Sequence, residues 1–133
     1  AALVESARAD VAALIGAGPA EIIFTSGATE SNNLALLGAA RFRHARGRHL
    51  VSSLAEHRAV IEPLRALERE GFRVTWLRPG PAGAIDPAAV AAALRPDTIL
   101  VSLMHANNET GAVTDVAAIC ALCRRHDVLF HVD

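Results

Sequence analysis

Seven residues decide the fold of this chain: Thr25-Ser26-Gly27-Ala28-Thr29-Glu30-Ser31. They lie between the apolar run Glu21–Phe24 and the helix-like run Asn32–Gly38. This pattern predicts a β-strand, a tight glycine turn and the first turn of an α-helix, with backbone N–H groups free at the helix N-terminus. The helix dipole and a close backbone approach at Gly27 would favour a bound phosphate there.

Hydroxyl groups strengthen the prediction of a phosphate site, because Ser26, Thr29 and Ser31 would add donors to the backbone N–H groups. A simpler interpretation needs no ligand, since Ser and Thr are ordinary N-cap residues and Thr29 or Ser31 would then only cap the helix. Both interpretations remain open on this stretch alone.

Strand-like and helix-like segments alternate along the rest of the chain. Strands are predicted at about 21–25, 50–53, 72–77, 98–104 and 128–132, and helices at 3–15, 28–46, 57–71, 86–94 and 115–125. Strands that alternate with helices at this spacing predict an α/β fold, with a mostly parallel sheet and helices on both faces. The run Thr98–Met104 is apolar on both faces and is therefore expected in the middle of the sheet.

Length and charge limit the possible classes of protein. The 133 residues suffice for one domain, and the net charge of −1 gives no reason to expect a nucleic acid or a membrane as partner. No apolar run approaches the roughly 20 residues of a membrane span, and a cytoplasmic protein is expected. The chain begins without Met and stops after a strand-like run, so we expect residues 1–133 to be a single partial domain, truncated at both ends.

Two cysteines, Cys120 and Cys123, have the CxxC spacing of zinc and redox sites. They lie in a helical pattern, however, and no second pair follows that would complete a metal site. We interpret them as reduced cysteines of the core, and we expect no metal.

Polar residues follow several of the predicted strands. Glu56-His57 follows the second strand, His105–Glu109 follows the strand 98–104, and Asp133 ends the last one. In a parallel sheet ligands bind at the carboxyl ends of the strands, so these groups are expected to converge with the phosphate site. The set suits a phosphorylated pyridine, with a carboxylate on the ring nitrogen, an imidazole on the ring face and an amide near a ring oxygen.

Each of these residues also has a structural interpretation. His57 is placed where a helix begins, Asn107 and Asn108 are common turn residues, and Asp133 is a possible N-cap. His105 and His131 have no identifiable partner in the sequence and are interpreted as structural.

Four motifs in order resemble one known family. Phe24–Asn33, Glu56-His57, Met104–Gly111 and His131-Val132-Asp133 are similar to the successive signatures of the cysteine desulfurases, in the class V branch of the fold-type I pyridoxal-phosphate enzymes. The resemblance extends over essentially the whole chain and implies the large, cofactor-binding domain of such an enzyme.

The resemblance also implies a role for each matching residue. Ala28 and Thr29 match the pair that contacts the phosphate of pyridoxal 5'-phosphate, and Asn108 matches the asparagine near the ring hydroxyl. His57 matches the histidine stacked on the ring, which makes it both a cofactor-binding and a catalytic candidate. Asp133 matches the aspartate bound to the pyridine nitrogen.

The departures from the family pattern concern covalent chemistry. The family holds its cofactor through a Schiff-base lysine in a Ser-x-His-Lys segment after the aspartate, and a later cysteine takes the sulfur. Neither segment is found in residues 1–133, which contain no lysine at all, and Cys120 and Cys123 do not match that cysteine. The chain by itself is therefore predicted to be inactive.

For the whole protein, the resemblance implies conversion of L-cysteine to L-alanine, with the sulfur passed to an enzyme cysteine as a persulfide. The implied partners are L-cysteine, a sulfur acceptor such as an iron–sulfur scaffold protein, and a second copy in a homodimer. One alternative is a selenocysteine lyase or another class V aminotransferase-like enzyme. A different one is a non-catalytic domain that binds a nucleotide or a protein, although GxxxxGK and GxGxxG are both missing.

Overall fold

A computed structural model describes residues 2–133 of the chain. Within residues 2–133, five helices and four strands follow one another, with a short 3-10 helix at Pro19–Glu21. In chain order these are α1 Ala2–Ile15, α2 Ala28–Arg43, β1 His49–Ser53, α3 Arg58–Arg69, β2 Arg73–Leu77, α4 Pro87–Ala93, β3 Thr98–Leu103, α5 Val116–Arg125 and β4 Leu129–Val132. From β1 onward, every predicted strand and helix is found within a few residues of its expected bounds.

The four strands form one parallel sheet in the order β2-β1-β3-β4. Every residue of β1 and β3 is buried, which confirms the interior position predicted for 98–104. Because all four strands run the same way, their carboxyl ends lie along one edge of the sheet.

Helices cover both faces of the sheet, as predicted. One part of the core joins Leu36 of α2 and Leu64 of α3 to Leu50 of β1. The other joins Val90 of α4 and Ile119 of α5 to the strands, and here the neighbouring β1 residue, Val51, takes part. Successive side chains of a strand point to opposite faces, so one strand serves both halves of the core.

The first predicted strand is wrong. Residues 22–25 have no regular secondary structure and pair with no strand in the described chain, and Ile23 is 68% exposed. The guanidinium of Arg8 donates a hydrogen bond to the carbonyl of Ile22, in place of a strand partner. An apolar run can form a β-strand only where a neighbour satisfies its backbone groups, and the run itself does not reveal whether one is present.

The helix α1 is confirmed, and it ends at Gly16, whose φ of 70° suits glycine. Its apolar stripe is nevertheless exposed within residues 2–133, since Leu3 is 87% and Leu14 is 86% exposed. Only Ala12 of this helix is buried. Helical periodicity thus located the helix correctly, but it did not show what lies against the apolar side.

Cys120 and Cys123 lie on α5 as expected, and burial raises the pKa of the Cys123 thiol to about 11. Cys123 is fully buried, whereas Cys120 is only half-buried. Among the residues described, no three metal-ligating side chains come together, and no helix combines the length and apolar character needed to cross a membrane.

Candidate functional site

A cleft of about 410 Å³ opens at the carboxyl edge of the sheet. All five residues predicted to bind a ligand line it. Clefts of similar volume occur elsewhere on the chain, so the chemistry of the lining singles this one out. The lining residues are Ala28, Thr29, Asn32, His57, Ala59, Met104, Ala106, Asn108 and Asp133.

One end of the cleft is the N-terminus of α2. The helix has Gly27 as its N-cap, with no side-chain cap, and its first backbone bond joins Ser31 N to Gly27 O at 3.1 Å. Within residues 2–133 the N–H groups of Ala28 and Thr29 have no acceptor. These two donors and the positive end of the helix dipole can hold an anion.

The hydroxyl groups near this turn are arranged differently from the prediction. The Ser26 hydroxyl and N–H both donate to Glu30 Oε2 at 2.6 Å, which lowers the pKa of Glu30. The hydroxyl oxygens of Thr25 and Ser31 lie 2.6 Å apart and bond to each other. The prediction that Ser26 and Ser31 offer free donors is therefore wrong, as is the alternative that Thr29 or Ser31 caps the helix.

His57 begins a helix, as its structural interpretation predicts, and its side chain also lines the cleft. It is the N-cap of α3, with its Nδ1 accepting a hydrogen bond from the N–H of Ala59 at 3.1 Å. The same side chain lines the cleft. Because Nδ1 is an acceptor, the neutral ring carries its proton on Nε2, and the capping bond fixes the orientation of the ring.

The two asparagines of the loop after β3 have separate roles. Asn107 organises the turn, since its Oδ1 accepts from the N–H groups of Glu109 and Thr110 at 3.0 and 2.9 Å. Its amide nitrogen donates to the carbonyl of Ala55 and joins this loop to the end of β1. Asn108 lies in the same turn and also lines the cleft, so the turn interpretation holds for both asparagines.

Asp133 follows β4 and lines the cleft beside α2. Its backbone is joined to β3, because its N–H donates to the carbonyl of Leu103 at 3.4 Å, and its own carbonyl accepts the N–H of His105 in the following loop at 3.1 Å. Its Oδ1 accepts a hydrogen bond from the side-chain amide of Asn32 at 3.1 Å. The side chain of Asp133 is thus joined to α2, and its backbone is joined to the sheet.

Glu56 is a buried carboxyl group whose role the sequence did not reveal. Oε1 accepts the N–H of Met104 at 3.1 Å, whereas Oε2 is buried and has no hydrogen-bond partner within residues 2–133. Burial raises the pKa of Glu56 to about 7, the charge of Asp133 acts in the same direction, and the Met104 N–H opposes them. The raised pKa favours the protonated form of Glu56 below a pH of about 7.

Asn32 and His131 were also missed as members of the site. Asn32 is only 3% exposed, and its Oδ1 lies 3.1 Å from His131 Nε2. Its position gave a signal, because Asn32 precedes Leu36 by four residues on the buried side of α2. A polar residue on an apolar stripe requires a partner, and here the partner is His131.

Comparison with solved structures shows which proteins have a similar fold. A TM-score of 0.93 relates the chain to DndA from Streptomyces lividans, at 52% identity over 98% of this chain and 37% of that one. The protein SspA, solved in complex with cysteine, gives the same TM-score at 42% identity, over 98% of this chain and 38% of SspA. The cysteine desulfurase CsdA from Escherichia coli is 28% identical, with a TM-score of 0.89 over 97% of this chain and 33% of CsdA.

Sequence comparison gives the family. The profile of the aminotransferase class-V family matches residues 1–133, and the chain belongs to that family. It is 59% identical over 130 residues to cysteine desulfurase IscS of Pseudomonas fluorescens and of Azotobacter vinelandii. Those matches cover 98% of this chain and 32% of each relative, so the chain spans about a third of the length of these curated relatives. The resemblance drawn from the four motifs is confirmed.

Proposed function

We propose that the protein containing this chain is a pyridoxal-phosphate-dependent cysteine desulfurase, and that residues 1–133 are part of its cofactor-binding domain. It would convert L-cysteine to L-alanine and transfer the sulfur to an enzyme cysteine as a persulfide. The observation that supports this most is the convergence of Thr29, His57, Asn108 and Asp133 on one cleft. The relatives named cysteine desulfurase support the same reaction.

The residues of the cleft fit pyridoxal 5'-phosphate in both size and chemistry. The volume of about 410 Å³ falls in the range of small-molecule sites. The N–H groups of Ala28 and Thr29 would hold the phosphate, and the carboxylate of Asp133 would hold the ring nitrogen. His57 would lie against the ring, and Asn108 would bond its hydroxyl. When bound, the cofactor supplies an electron sink for the substrate.

Side chains of the cleft would control how strongly the bound cofactor withdraws electrons from the substrate. An ionised Asp133 favours a proton on the ring nitrogen, which increases the electron demand of the ring. Met104 and Ala106 supply apolar surface beside these polar groups. We infer that His57 also takes part in catalysis, because its capping bond would hold the ring in a fixed position next to the reacting atoms.

The covalent steps belong outside these residues. Residues 1–133 contain no lysine to link the cofactor, so the chain alone is expected to be inactive. For the whole protein we propose L-cysteine as substrate, a sulfur acceptor such as an iron–sulfur scaffold protein, and a homodimer. SspA was solved with cysteine, which supports a cysteine site in this structural class. A cytoplasmic location and a domain truncated at both ends stay predictions.

Two other functions remain to be tested against this one. A selenocysteine lyase or another class V enzyme would share the cofactor cleft and differ in the residue that takes the sulfur. A non-catalytic nucleotide-binding domain would use the same helix N-terminus for a nucleotide phosphate.

Calorimetric titration of the full-length apoprotein with pyridoxal phosphate and with ATP separates a cofactor site from a nucleotide site. We expect pyridoxal phosphate to bind at least about tenfold more tightly, a difference of about 1.4 kcal/mol. Tighter binding of ATP would contradict the proposal. The loaded enzyme should then release alanine from L-cysteine with one sulfur retained per alanine, and a failure to do so would favour the other class V functions.

A further inference from the structure

Four polar side chains form a continuous hydrogen-bonded chain beneath the cleft. Ser102 of β3 lies 2.9 Å from Nδ1 of His131 on β4, measured from its hydroxyl oxygen. Nε2 of His131 lies 3.1 Å from Oδ1 of Asn32 on α2. The amide nitrogen of Asn32 lies 3.1 Å from Oδ1 of Asp133. These hydrogen bonds thus connect β3, β4 and α2, and they end at Asp133, the proposed ligand contact.

Hydrogen-bond donation runs in a single direction along these four side chains. The ionised carboxylate of Asp133 can only accept, so Asn32 must turn its amide nitrogen toward it and its carbonyl oxygen toward His131. Nε2 of His131 must then donate, which leaves Nδ1 of a neutral ring to accept the Ser102 hydroxyl proton. Every donor therefore points toward Asp133.

The surroundings favour that neutral ring. Burial lowers the pKa of His131, and the charge of Asp133 offsets this only in part. Ser102 is fully buried, and its carbonyl accepts the hydroxyl of Ser52 at 2.9 Å, so the first residue of the chain is itself held in place.

We propose that Ser102, His131 and Asn32 are positioning residues, which orient the Asp133 carboxylate toward the ring nitrogen of the ligand. The bond from Asn32 to Oδ1 would fix the rotation of the carboxylate and leave Oδ2 for the ligand, while Ser102 and His131 hold Asn32 in place. This inference rests on the proposed function, because it takes the ligand to be a pyridine with a nitrogen that Asp133 contacts.

The direction of hydrogen-bond donation along these side chains can be tested without a ligand. In full-length apoprotein labelled with ¹⁵N-histidine, the signals of His131 are assigned by their loss in His131→Gln. We expect the neutral form with the proton on Nε2 at pH 8. A proton on Nδ1, or a charged ring at that pH, would overturn the inference and leave the proposed function untouched.

The action on Asp133 is tested by two ligands that differ at a single atom. Pyridoxal phosphate and its analogue with carbon in place of the ring nitrogen are bound to wild type, His131→Met and His131→Gln. We expect wild type to prefer pyridoxal phosphate, and His131→Met to reduce that preference by about three- to tenfold, the scale of one hydrogen bond between neutral groups. His131→Gln keeps a donor near the position of Nε2 and should retain the preference.

Each other outcome counts against a specific claim. An equal loss of affinity for both ligands in His131→Met would show a merely structural role and overturn the inference. A wild-type protein that binds both ligands equally would overturn the proposed contact of Asp133 and, with it, the inference. If His131→Met does not fold, His131→Gln and the NMR signals still decide, since a lost preference in His131→Gln contradicts the proposed donor.

Discussion

At the residue scale, the carboxylate of Asp133 is the group on which the proposed chemistry depends most. Asn32 and the backbone of β3 hold it at the rim of the cleft. In the full-length enzyme, Asp133→Asn should leave the cofactor bound and lower kcat by at least about 100-fold, a loss of about 2.7 kcal/mol of transition-state stabilisation. Steady-state alanine production checks this, with bound cofactor measured by absorbance. Turnover within about twofold of wild type would remove Asp133 from this role.

Glu56 gives a second prediction at this scale. Its pKa is raised from 4.5 to about 7 by burial, so the folded chain holds a proton that the unfolded chain releases above pH 4.5. The stability contributed by this group is complete below pH 4.5 and is lost as the pH rises to about 7. The shift corresponds to about 3 kcal/mol in the free energy of unfolding.

The substitution Glu56→Gln removes this titration while keeping an acceptor for the Met104 N–H. From acidic to alkaline pH, we expect the free energy of unfolding of the variant to rise by about 3 kcal/mol relative to that of wild type. Urea unfolding of the apoprotein at pH 4.5 and pH 8 measures the gain. The control is Glu62→Gln, at an exposed glutamate of α3. An equal effect of Glu56→Gln at both pH values would contradict the buried proton.

At the element scale, the start of α3 combines helix capping with ligand contact. His57→Asn keeps a capping acceptor for Ala59 but loses the ring, whereas His57→Ala loses both. We expect only His57→Ala to lower the free energy of unfolding, by about 1 kcal/mol. Both variants should weaken binding of pyridoxal phosphate by about three- to tenfold, the scale of one aromatic contact. If His57→Asn binds pyridoxal phosphate with wild-type affinity, then His57 acts only as the N-cap of α3.

The elements also show where prediction from the sequence ends. Asp86 before Pro87 predicts the start of α4, and its carboxylate does accept the Ala88 N–H at 2.8 Å. Such signals are local, so the sequence contains them in full. Strand formation at 22–25 and the burial of α1 depend on neighbours, and an apolar run does not identify its neighbour.

At the scale of the whole molecule, the parallel sheet explains why the site could be anticipated. Alternating strands and helices predict the topology, and that topology brings the ends of β1, β3 and β4 to one edge. Residues as distant in sequence as Thr29 and Asp133 therefore line the same cleft. The hydrogen-bonded chain through Asn32 and His131 was not predicted, because the packing of α2 against the sheet fixes its contacts.

The most direct test of the account is a crystal structure of the full-length protein with pyridoxal phosphate. We predict the phosphate within about 3 Å of the Ala28 and Thr29 backbone nitrogens, and the ring nitrogen within about 3 Å of the Asp133 carboxylate. Density for the cofactor outside this cleft, or with its nitrogen turned away from Asp133, would contradict it.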